Sequence, residues 1–360
     1  PAPVSGEAYN RWAEGIAHWD LRENRINAMR ATQLFQEATE LAPDFAQAHA
    51  ALSQARMWLF WNFPGSQDQA ELAREALDRA LELAPNGVEA LLAQGFFYFY
   101  GRGDSQEALR YFRQAQNLKP SDANVISAIG LIFRRDGRWE EAVEEFRRAV
   151  QLDPRSYNLN YLLAETLFRM RRFDEAEGAF QLAATLAPEV PSVHRDRLRL
   201  RLAMTGDTVA AREYFEGLRT LNPMIRTLLG SELAYYRGDL EGALEGRRTR
   251  VRTPGAEAIS GGGPEAPGTD SVAAPDRDRP LGAGQNHERL AILYHLMGNT
   301  ELRDAYADSL RLASEAVLAQ ARANPGPVQT GVIARANAKL GIAYALAGEG
   351  FSALSEGFKA

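Results

Sequence analysis

Pro120, Pro154 and Pro188 stand 34 residues apart, and the chain between them repeats itself. Gly130, Ala142, Phe146 and Ala149 before Pro154 return as Ala164, Ala176, Phe180 and Ala183 before Pro188. A fixed period in the thirties, with small residues at fixed offsets, predicts stacked helix–turn–helix units. Two short antiparallel helices cannot bury their apolar stripes alone, so each pair must stack on the next. Gly and Ala then stand where backbones approach closely, and Phe and Leu fill the gaps. Each proline ends a second helix, because it cannot continue a helix and biases its predecessor away from helical angles.

The same grammar runs through most of the chain. Residues 8–43 form a first pair and 44–85 a second, whose turn is lengthened by Trp61-Asn62-Phe63-Pro64-Gly65. The third, 86–120, has one extra residue near Gly101-Arg102-Gly103. The sixth, 189–223, is unusual: His194-Arg195-Asp196-Arg197-Leu198-Arg199-Leu200-Arg201 puts arginine at positions that normally hold small or apolar residues. This pattern resembles the tetratricopeptide repeat. The resemblance implies an all-α, right-handed superhelical solenoid of stacked pairs.

Three segments follow: a solenoid of about seven pairs over 1–250, a Pro/Gly-rich insert or linker over 251–286, and repeat-like helices over 287–360. The insert's composition is that of a long loop. The opening Ala8-Tyr9-x-x-Trp12-x-x-Gly15-x-x-x-Trp19-x-x-Arg22, then Ala31, Phe35, Ala38, Leu41 and Pro43, is similar to the first repeat of a bacterial group. Those are the tetratricopeptide regions C-terminal to membrane-anchored serine/threonine kinases, adenylate cyclases and winged-helix regulators. Trp12 stands where that group has Tyr, and one extra residue separates Arg22 from Ala31.

Chemistry is sparse. With no cysteine, thiolate metal sites, disulfides and a cysteine nucleophile are excluded. The five histidines, His18, His49, His194, His287 and His295, form no pair at ligand spacing on one helix, so they read as packing or surface residues. No nucleophile elbow or kinase motif is present. The expectation is therefore no catalytic residue, no metal and no cofactor. A net charge of −6 disfavours nucleic acid as the main partner.

What remains is the concave face, lined in such arrays by the first helix of each pair. Counting from the repeat anchors places Gln54 and Trp58 there, then Phe96, Phe99 and Tyr100. Ser127, Leu131, Arg134 and Arg135 follow, then Asn158, Tyr161, Glu165, Phe168 and Arg169, with Arg195 and Arg199 in the same band. One reading packs Phe96, Phe99 and Tyr100 against the lengthened second turn. The other makes them a groove for a peptide whose acidic groups meet the arginines, since aromatics and Arg dominate binding hot spots. The expected function is a non-catalytic protein-binding scaffold or adaptor, with a protein segment or subunit docked in the groove. The resemblance implies a bacterial cell-envelope or membrane complex and an extracytoplasmic, periplasmic setting, with the cytoplasm as alternative. The other class open to it is the sensory region of a signalling kinase or cyclase whose catalytic domain lies elsewhere.

Overall fold

The computed structural model describes residues 4–62, 68–243 and 245, with helical positions 307, 311, 314, 315, 318, 319, 337, 340 and 342. The expected insert 251–286 lies outside the described residues, as does nearly all of 287–360. Contacts divide the chain into two units, Pro1–Phe60 with Asp68–Leu229, and Trp61–Gln67 with Gly230–Ala360. Among the described residues there are helices and no strands.

The first unit is an all-α solenoid. Its pairs are α1 (Gly6–Asp20) with α2 (Arg25–Leu41), α3 (Ala46–Asn62) with α4 (Asp68–Leu83), and α5 (Val88–Phe96) with α6 (Ser105–Leu118). Then come α7 (Ala123–Arg135) with α8 (Trp139–Leu152), α9 (Tyr157–Arg169) with α10 (Phe173–Leu186), and α11 (Pro191–Thr205) with α12 (Val209–Gly217). A further helix, α13 (Pro223–Tyr236), runs on into the second unit. There, Ser231 Oγ donates to Ala243 O at 2.7 Å.

Polar caps set the helix starts. Asp104 accepts from Gln106 and Glu107 N–H, and Asp122 from Asn124 and Val125 N–H, satisfying donors that the first turn leaves open. In four of the six pairs the core centres on a wholly buried phenylalanine of the second helix, Phe35, Phe112, Phe146 or Phe180. Opposite three of them the first helix has glycine, because a Cβ would come within 2.6 Å of the ring at Gly15, 2.2 Å at Gly95 and 2.8 Å at Gly130.

The extra residue of the third pair is absorbed as a π-helical segment, Phe97–Arg102, that continues α5 and ends at Gly103 with φ +67. This lengthened turn re-phases the aromatic run. Phe97 and Phe99 go into the core, while Phe96 and Tyr100 stay half-buried on the concave side.

A recurrent polar slot accounts for two histidines. Six residues after a repeat proline, His49 Nε2 meets Pro43 O at 3.0 Å, Asn160 Nδ2 meets Pro154 O at 3.1 Å, and His194 Nε2 meets Pro188 O at 2.7 Å. A carbonyl only accepts, so each ring donates from Nε2, and His194 Nδ1 then accepts from Tyr214 Oη at 2.8 Å. The odd arginines of α11 also have structural partners. Arg197 and Arg201 both reach Glu177 Oε1, and the Arg197 guanidinium lies 4.7 Å from the Tyr214 ring centroid.

Candidate protein-binding cavity

The solenoid of the first unit bends its first helices around a cavity of about 510 Å³. One wall is aromatic. Trp19 meets Trp58 edge-on at 6.0 Å, and Phe96 stacks on Tyr100 at 5.7 Å with 11° between planes. Trp12, Leu92 and Leu131 complete it. Neutral amides and hydroxyls share the lining with these rings: Gln47, Gln54, Asn124, Ser127 and Asn158. Asn158 is 4% exposed, and its Oδ1 finds no hydrogen-bond partner among the described residues; nor does the buried Trp12 Nε1.

One edge of the cavity is a contact between distant parts of the chain, Asp20 and Ser156 both lining it. Asp20, at the end of α1, accepts from Ser156 Oγ at 2.6 Å and from Tyr157 N–H at 2.9 Å. Its carboxylate therefore sits on the N-terminus of α9, where the open amides and the helix dipole favour negative charge. The turn that follows lies against the concave face. Leu21 packs on the main core cluster, and the Arg22 guanidinium lies 4.6 Å from the Trp19 ring centroid and donates to Trp19 O.

Glu23 is the third residue of that turn. Burial raises its carboxyl pKa, Arg22 pulls it back down, Glu165 raises it again, and Arg195 and Arg134 lower it. Burial likewise pushes up the phenols of Tyr100, Tyr157 and Tyr161 around it.

The residues singled out in the sequence divide between this cavity and its surroundings. Gln54, Trp58, Phe96, Tyr100, Ser127, Leu131 and Asn158 line it. Phe99 and Tyr161 are each 5% exposed and belong to the core, where the Tyr161 hydroxyl donates to Asp196 Oδ2 at 2.7 Å. Phe168 packs at 6.1 Å from Phe173 and 6.5 Å from Phe180.

The arginines do not line the cavity; they form a belt beside it, already engaged within the chain. Arg134 Nη1 bonds Glu165 at 2.8 Å and Arg169 bonds the same carboxylate at 2.7 Å. Burial alone would raise the Glu165 pKa, but the two guanidinium groups outweigh it and hold the carboxyl below its ordinary value. Arg135 lies 3.3 Å over the Phe99 ring centroid and donates to Phe99 O, and burial pushes its pKa down to about 10. Arg195 and Arg199 flank Asp196 at 3.2 and 3.4 Å.

Counting from the repeat anchors missed Trp12, Trp19, Asp20 and Arg22 of the first pair. The same count applied to α1 would have placed Trp12 and Trp19, but nothing local reveals Asp20 as a partner of α9.

Residues 66–123, 96–157, 127–191 and 161–223 match the tetratricopeptide repeat model. These units are tetratricopeptide repeats. The human IFIT1 dimer with m7Gppp-AAAA shares the fold; it is 16% identical, over 92% of this chain and 67% of that one, with a TM-score of 0.52. TTC0263, a thermophilic tetratricopeptide protein of Thermus thermophilus, is 20% identical over 55% and 98%, with a TM-score of 0.42. A tetratricopeptide repeat protein from Parabacteroides merdae is 15% identical over 71% and 94%, at 0.43. No curated protein sequence matches the chain. Among the described residues, no three His, Asp or Glu side chains are placed to hold a metal ion, and no helix is long and apolar enough to cross a membrane.

Proposed function

We propose that the chain is a non-catalytic scaffold that holds a short, extended protein segment in the cavity of its first unit. The observation that carries this reading is the combination of aromatic rings and neutral amides lining one concave space. Aromatic rings supply apolar contact at low entropy cost, and carboxamides both donate and accept, as a peptide backbone requires. The size favours an extended ligand. A helix is roughly 10 Å across with its side chains, so about 510 Å³ would hold little more than a single turn.

A polyanion fits less well. IFIT1 is named with a capped RNA, whereas this lining has Asp20, Glu89, Asp122 and Asp153 against Arg22, Lys119 and Arg155. That balance lacks the concentrated positive charge that phosphates need. A role in a bacterial cell-envelope or membrane complex, in a periplasmic setting, rests on the resemblance of the opening repeat. So does the alternative, a sensory region of a kinase or cyclase.

The test is selection from a random peptide library displayed on phage, using the purified chain as bait. Selected peptides should lose binding to the Asn124→Arg and Gln54→Arg variants, which fill the cavity from its lining without opening the core. Peptides that bind both variants as well as the wild type would place the site elsewhere and overturn the reading.

A further inference from the structure

The closing turn Asp20–Asn24 has the chemistry of a ligand rather than of a stacking element. Successive pairs share a continuous buried apolar core, whereas the first pair meets the start of α9 through the Asp20 carboxylate, with Leu21 half-buried against that core. Beyond that contact the turn delivers Glu23 into a belt on α7, α9 and α11. Among the described residues, Glu23 makes no hydrogen bond or close ion pair. Its charge is felt instead by Arg134 and Arg195, by Glu165, and by the phenols of Tyr100, Tyr157 and Tyr161. The belt is positive before Glu23 is counted in one respect that matters: Arg134 and Arg169 share the single carboxylate Glu165. An acidic group fits there by charge, and the chain provides its own.

We infer that this turn is an internal stand-in for an acidic partner, and that an extended peptide bearing carboxylates displaces Asp20 and Glu23 to reach α9 and the arginine belt. The inference rests on the reading that the concave face holds a protein segment; it adds the charge of that segment and the element it displaces. Opening needs no unfolding. Each pair of a solenoid contacts only its neighbours, so small rotations spread over the pairs lift α1 from α9. With the turn gone, the arginines face water, and an incoming carboxylate meets them with less desolvation than Glu23 meets in the closed turn. The N-terminus of α9 would accept the partner's acid as it now accepts Asp20.

The chain's lack of cysteine makes a direct test possible. The D20C/S156C variant puts thiols at the two positions that the Asp20–Ser156 hydrogen bond joins; the oxidised form, its disulfide verified by thiol titration, locks the turn on α9, and reduction frees it. The probes are two fluorescein-labelled peptides, one alternating Glu and Leu and one alternating Lys and Leu, read by fluorescence anisotropy. The reduced form should bind the Glu peptide about tenfold or more tightly than the oxidised form, since the disulfide holds the turn in the place the peptide must take whereas the reduced turn is free to leave. The D20N variant, which weakens the contact on α9, should bind it more tightly than the wild type, and the Lys peptide should bind none of these proteins.

Equal affinity in the oxidised and reduced states would overturn the inference, as would a preference for the Lys peptide. If library-selected peptides still bind the cavity of the oxidised form, that failure leaves the scaffold reading standing. If no selected peptide binds any form, both fall. Should D20N not fold, the reduced and oxidised states of the one cysteine variant still decide the matter.

Discussion

Gly95 lies directly under the ring of Phe112: a Cβ built on it would fall 2.2 Å from Phe112 Cε1 and 2.5 Å from Cδ1. The ring has nowhere to go, being wholly buried and met edge-on by Phe96 at 5.0 Å. Gly130 stands in the same relation to Phe146 with more room, at 2.8 Å. Gly95→Ala is expected to destabilise the chain by about 1–3 kcal/mol through overpacking, and Gly130→Ala by less. Urea denaturation checks the order of the two as well as their size.

The turn between α9 and α10 places Arg171 at φ 59, whereas the equivalent turn one repeat earlier has Gly137 at φ 77. A left-handed arginine is strained by its Cβ, and glycine is not. Arg171→Gly should stabilise the protein by about 0.5–1 kcal/mol, net of glycine's greater freedom in the unfolded chain. A melting temperature below wild type would show that Arg171 makes a compensating contact.

Glu23 makes stability depend on pH in a definite direction. Its folded pKa is raised, so the folded state holds the proton more tightly than the unfolded one. The stability it contributes is fully present below the unfolded carboxyl pKa, about 4.3, and is lost as pH rises through the folded value. The groups facing it are Arg22 on its own turn, Tyr100, Arg134, Tyr157, Tyr161, Glu165 and Arg195. Glu23→Gln should therefore gain on the wild type as pH is raised from about 4 to about 7. Urea midpoints across that range test this; a constant difference would mean that Glu23 does not titrate abnormally.

Asp196 is 7% exposed and is held by the Tyr161 hydroxyl and by Arg195 and Arg199. Tyr161→Phe is expected to cost about 1–3 kcal/mol, because a buried acceptor loses its donor. Asp196→Ala should cost more, since Tyr161, Arg195 and Arg199 all lose the Asp196 carboxylate at once. Equal losses from the two variants would indicate that the guanidinium groups contribute nothing at this site.

What the sequence determined is what depends on residues close together in the chain. The 34-residue recurrence of Pro, Phe and small residues dictated helical pairs and their stacking, because a small residue, glycine in three pairs, is needed where the buried phenylalanine meets the first helix. Phase counting along each first helix carried the same local logic to Gln54, Trp58, Phe96, Tyr100, Ser127, Leu131 and Asn158, which do line the cavity. It said less about the arginines, since their helical phase leaves open whether Glu165 and Asp196 engage them. Only the tertiary structure decided that Asp20 caps a helix beginning 137 residues later. That contact depends on the curvature accumulated over four successive stacks, and curvature is a sum of small inter-pair rotations that no single repeat encodes.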